Sequence, residues 1–170
     1  MCGHYQTARR LAKALGDTAS LRDLEYNIAA TGLQVGRTQE AYDFFSRAEH
    51  PSVMTLHKLA ICCEQLGKRE EALAALQKAE AAPQAVPEKA FSLQLCALVR
   101  FRLEHPDYLR RPEYGAALLS CFDRMRRELP DGYAGFHLPW VIEWHKAARQ
   151  YKQAYELLLS FPAYSRFIRI

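Results

Sequence analysis

Apolar side chains recur along this chain at intervals of three and four residues, the spacing that gathers them on one face of an α-helix. Leu24, Ile28 and Val35 mark one such stripe, and Leu56, Leu59, Cys63 and Leu66 mark another. Each runs into a glycine, Gly36 or Gly67, and a second helical pattern starts directly after it. A glycine there suits a left-handed helix end, which a side chain with a β-carbon resists. Small Ala41 and Ala72 open the second helices where two helices approach closely, and Phe45 and Leu76 fill the gap toward the next unit.

The two patterns are copies. Tyr26-Asn-Ile-Ala-Ala-Thr-Gly-Leu-Gln-Val-Gly36 aligns with His57-Lys-Leu-Ala-Ile-Cys-Cys-Glu-Gln-Leu-Gly67. The match continues through Gly36-Arg-Thr-Gln-Glu-Ala41 and Gly67-Lys-Arg-Glu-Glu-Ala72, and pairs Phe45 with Leu76 and Ala48 with Ala79. A fixed period of about thirty residues is the mark of a stacked repeat, in which no helix pair buries its apolar face alone. The pattern predicts an all-α fold, a right-handed α-solenoid of helix-turn-helix repeats forming a single domain over 1–170. Its parts are a partial repeat helix at 1–16, repeats at 22–50 and 53–82, a degenerate repeat at 88–129, a further repeat at 133–161 and a tail at 162–170. The degenerate pair is split by a loop from His105 to Pro112, and Pro83 to Pro87 read as a linker. Residues 1–22 have a second reading, since they are amphipathic and acid-poor in the manner of mitochondrial targeting segments, but their apolar positions also fit the repeat.

Composition narrows the classes. With 170 residues, 49% hydrophobic and 25% charged, the chain is long enough to bury a core. Its longest apolar runs fall short of the roughly 20 residues that cross a bilayer. Five cysteines, an odd number whose one close pair is the adjacent Cys62 and Cys63, point to a reducing compartment rather than a disulfide framework. The six histidines show no metal-ligand spacing, the serines no nucleophile elbow and the glycines no phosphate loop, so no enzyme, metal or cofactor is expected. Glu70 and Glu71 suit the first turn of a helix, and Cys62 and Cys63 its buried side.

The net charge of +4 is uneven: 1–85 carry ten basic and ten acidic residues, and 86–170 carry thirteen and nine. The excess gathers at Arg100, Arg102, Arg110, Arg111, Arg124, Arg126 and Arg127, a possible basic patch for an acidic protein or an RNA backbone, or else a solvated helix face. The aromatics crowd toward the end, nine of nineteen lying from Tyr133 onward. Trp140 and Trp144 share a helix face with Phe136 and read first as core. Beyond the last helix, Tyr164, Arg166, Phe167 and Arg169 alternate aromatic or apolar with basic character. Because a solenoid normally closes in a polar cap, this end is the expected partner-binding surface, with Trp140, Trp144, Tyr164, Arg166, Phe167 and Arg169 as its anchors.

On the glycine-linked helix pairs, and on Cys121-Phe-Asp-Arg-Met125 followed by Pro130-Asp131, the chain resembles the tetratricopeptide and pentatricopeptide superfamily. The resemblance is strongest over 24–82. It implies protein binding in the tetratricopeptide manner, which Ala48 and Ala79 favour, or single-stranded RNA binding in organelles in the pentatricopeptide manner. In the latter the reading positions fall on Asn27 and Lys58, with Val53 paired to the first; Lys58 and Val53 depart from the family's polar pairs. In size and helix order the chain also resembles a pentatricopeptide-fold accessory subunit of the mitochondrial F1 ATP synthase. The expectation is therefore a non-catalytic, protein-binding subunit of a mitochondrial assembly. The alternatives are an organellar or mitoribosome-associated RNA-binding factor and, more distantly, a secretion chaperone of tetratricopeptide type.

Overall fold

The structure, a computed structural model, describes residues 2–83, 87–129 and 131–162. Every regular element among them is helical. The chain, read above as one domain, divides into two compact units, Met1–Pro83 and Gln84–Ile170.

The first unit holds α1 (Cys2–Leu15), α2 (Thr18–Gln34), α3 (Thr38–Phe45), α4 (Val53–Gln65) and α5 (Arg69–Ala81), each packed on the next. Side-chain caps set two of the starts: Asp17 accepts the Ser20 amide at 3.0 Å, and Ser52 accepts that of Thr55 at 3.1 Å. Asp17 starts α2 at Thr18, ahead of the expected boundary at 22. Ala41, Ala60, Ala72 and Ala79 are wholly buried, and these small side chains let the helices approach while Phe45, Ile61 and Leu76 fill the space between them. One expected core position lies elsewhere, and one repeat equivalence breaks. Val35 is the residue that caps α2 and is exposed, the stripe passing instead through Ala29 and Leu33. Ala48 is exposed because α3 ends at Phe45, whereas α5 runs on to bury Ala79.

The second unit holds α6 (Pro87–Glu104), a single 3-10 turn at Tyr108–Arg110, α7 (Pro112–Glu128), α8 (Asp131–Ala147) and α9 (Tyr151–Leu159). Pro112 starts α7 at a position where a missing amide costs nothing. Tyr114 is the hub of this core. Its ring stacks on Phe101 at 5.6 Å and meets the rings of Tyr108 and Trp144 edge-on at 5.0 and 6.1 Å.

Four helix junctions share one backbone motif. At Gly16, Gly36, Gly67 and Arg149 the chain turns left-handed, with φ of 66, 85, 71 and 59°. In each, the next amide reaches back to the carbonyl five residues earlier: Asp17 to Ala12, Arg37 to Gly32, Lys68 to Cys63 and Gln150 to His145, at 2.8 to 3.0 Å. This is the paired-bond helix end that satisfies orphaned carbonyls and sends the chain directly into the next helix. Arg149 is the exception in side chain but not in geometry, and a β-carbon in this conformation costs about 1–2 kcal/mol. Arg149→Gly should therefore raise stability by about 0.5–1 kcal/mol, the gain being reduced by the freedom glycine adds to the unfolded chain. Urea unfolding followed by tryptophan fluorescence measures this, since Trp140 and Trp144 both belong to the second unit.

Candidate interaction surface

The expected tryptophan anchors are packing elements of the second unit. Both are half-buried against its core. Trp140 lies 5.9 Å from the Phe136 ring and carries the Arg102 guanidinium 5.0 Å above its own. Trp144 lies over Gly115, where a β-carbon would fall 1.9 Å from its Cζ2. Tyr164, Arg166, Phe167 and Arg169 lie outside the described residues.

The arginines do not form one open patch. Arg102 is buried and donates to the Tyr114 hydroxyl at 3.3 Å. Arg100 pairs with Glu104 at 3.6 Å, Arg111 with Asp107 at 2.9 Å and with Glu113 at 3.6 Å, and Arg124 with Glu128 at 2.9 Å. The Asp107 contact holds the Arg111 guanidinium above its ordinary value, and the same hydrogen bond holds the Asp107 carboxyl below its own. Arg126 leans over the Phe161 ring at 5.6 Å, while Arg110 and Arg127 are exposed. Three of the seven thus face a carboxylate close by in sequence, which weakens the field an RNA backbone would feel. The reading position at Lys58 is also inside the fold: the residue is 5% exposed, although Asn27 faces solvent.

Cys62 and Cys63 are wholly buried free thiols. Burial, helped by the neighbouring Cys63, pushes Cys62 up to about 12, and burial, helped by Glu71, pushes Cys63 up to about 11. Neither has the thiolate character a redox role needs. Among the described residues no group of three His, Cys, Asp or Glu is placed to hold a metal, and no helix is long and apolar enough to cross a membrane. A groove of about 420 Å³ opens between α7, α8 and α9, but its charged lining sets Asp123 and Glu156 against Arg126, so it selects for neither sign.

The surface that sequence reasoning missed is on α9. Tyr151, Tyr155 and Leu159 stand 57%, 57% and 63% exposed at four-residue spacing, so they form one apolar stripe along the last described helix. On the same helix Ala154 and Leu158 face the core. The signal was present in the sequence as a second stripe beside the first. At the other end, Leu11 and Leu15 of α1 are exposed at the same spacing, 59% and 80%. No family model, curated protein or solved structure matches the chain.

Proposed function

We propose that this protein is a non-catalytic binding subunit of a larger assembly, a right-handed α-solenoid of tetratricopeptide or pentatricopeptide type. The observation that carries the reading is the α9 stripe of Tyr151, Tyr155 and Leu159, large apolar side chains aligned and left open to water. Aligned apolar exposure of this kind is what a protein-docking surface requires, and tyrosine is among the residues that dominate binding energy. The repeat of left-handed helix junctions supports the stacked architecture. The ion pairs of Arg100, Arg111 and Arg124, and the burial of Arg102, favour a protein partner over RNA. A mitochondrial complex, the F1 head of ATP synthase first among them, is the assembly in which to look.

Native purification at moderate salt, with and without nuclease, tests the proposal. A defined set of proteins that stays bound through nuclease treatment is the expected result. Partners released by nuclease, with retention falling steeply as salt rises, would replace it with the RNA-binding reading.

A further inference from the structure

The internal repeat shows what the α9 stripe is shaped to receive. Counting from the left-handed residue that precedes each helix, Thr38 and Tyr42 stand two and six places past Gly36, and Tyr151 and Tyr155 stand two and six places past Arg149. The buried faces keep the same register: Ala41 corresponds to Ala154, and Phe45 to Leu158.

In α3 these two outward positions grip the turn of the following helix pair. The Thr38 hydroxyl donates to Gln65 Oε1 at 2.7 Å, at the end of α4. The Tyr42 hydroxyl donates to Glu71 at 2.6 Å, in the first turn of α5. Lys68 Nζ sits 3.9 Å from the centre of the Tyr42 ring and 3.3 Å from Glu71, so ring, cation and carboxylate close a triangle. The Tyr42 hydroxyl, and after it Lys68, holds the Glu71 carboxyl below its ordinary value. In α9 the corresponding tyrosines are more than half exposed, while Tyr42 is partly covered.

Resting on the binding-subunit reading, we infer that α9 receives a helix-turn-helix of another protein, whose second helix opens with a cation and a carboxylate three positions apart. The carboxylate accepts the Tyr155 hydroxyl, the cation covers its ring, and Tyr151 and Leu159 pack on the helices to either side. A second copy of this chain is a poor occupant. Its Lys68 and Glu71 are already engaged by its own Tyr42. The comparable pair at its α2–α3 junction, Arg37 and Glu40, follows a helix that α1 already flanks.

A photoreactive benzoylphenylalanine placed at position 159 of the full chain, on the same exposed stripe and leaving Tyr155 intact, irradiated in the native assembly and mapped by mass spectrometry, tests this. The expected adduct is to a different protein, within a helical turn of a Lys or Arg and an Asp or Glu three residues apart. Recovery of that partner should fall about five-fold with Tyr155→Phe, which keeps the ring and removes the hydroxyl. An adduct to residues 163–170 of the same chain or to a second copy overturns the inference, as does unchanged recovery with Tyr155→Phe. A partner captured by the same probe at position 11 but not at 159 overturns it while leaving the binding-subunit reading standing. If no probe position captures a protein and none co-purifies, both fail.

Discussion

Gly115→Ala is expected to destabilise the second unit by about 3 kcal/mol, at the upper end of the usual cost of overpacking a core. The added β-carbon would lie 1.9, 2.2 and 2.5 Å from Cζ2, Cε2 and Cη2 of Trp144, well inside van der Waals contact. The obstacle is the six-membered edge of a rigid indole, which cannot swing aside as the end of a long side chain would. Tyr114 meets the same indole edge-on and is itself stacked on Phe101, so a shift of the indole propagates into the hub of the core. The loss is net of a gain, because alanine is preferred to glycine in a helix by about 1 kcal/mol. Trp144→Phe in the Gly115→Ala background should recover more than half of the loss, although the same change alone opens a cavity and costs about 1–2 kcal/mol. That reversal of sign is the signature of two residues sharing one space. Urea unfolding followed by far-UV circular dichroism of the four proteins completes the cycle. A Gly115→Ala protein as stable as the parent would mean that α7 and α8 do not approach as closely as the structure places them. The same contact explains why Trp144 is a packing element: its ring fills the notch that Gly115 leaves.

What the sequence made legible follows from how local each signal is. The junctions at Gly36 and Gly67 could be read because a left-handed helix end asks for glycine within one turn of chain, whatever the rest of the molecule does. The same junction at Arg149 carries no such letter, although its hydrogen bonds follow the same pattern, and it emerges only from the backbone. The arginine cluster was half legible. Arg100 and Glu104, Asp107 and Arg111, and Arg124 and Glu128 stand four apart, a spacing that announces pairing along a helix. The burial of Arg102 was not legible, because it depends on Tyr114 and Trp140 from two other helices. The α9 stripe shows the limit most clearly. Tyr151, Tyr155 and Leu159 are as apolar as Ala154 and Leu158, and periodicity alone cannot say which of two adjacent stripes meets a neighbour. Only the packing of α9 on α8 through the second stripe leaves the first one outward.

Replacing Lys58 with methionine should stabilise the first unit by about 3 kcal/mol at pH 7 and by about 1 kcal/mol at pH 9. Lys58 is 5% exposed on α4, in a helix whose buried residues include Leu56, Ala60, Ile61 and Cys62. Burial lowers its ammonium from the ordinary 10.5 to about 7, an effect that the nearby Cys62 partly opposes. The folded protein therefore holds that proton less tightly than the unfolded chain. Below pH 7 both states are protonated and the cost of burying the charge is fully present. Between pH 7 and 10.5 the unfolded chain still binds the proton while the folded one releases it, so stability rises with pH across that window. Methionine keeps the unbranched stem that packs in the core and carries no charge, so it removes both the cost and its pH dependence. The thiols work in the opposite direction. Cys62 and Cys63, raised to about 12 and about 11, remain protonated in the fold while the unfolded chain ionises near 9, so stability falls as pH climbs beyond that point. They do so with and without Lys58, and the difference between the two proteins isolates the amine. Urea unfolding at pH 7 and pH 9, followed by labelling of Cys62 and Cys63, reads this unit specifically. A stability gap between Lys58→Met and the parent that stays constant from pH 7 to pH 9 would show that the ammonium keeps its ordinary affinity for the proton. The burial of α4 against its neighbours would then be looser than the packing around Lys58 requires.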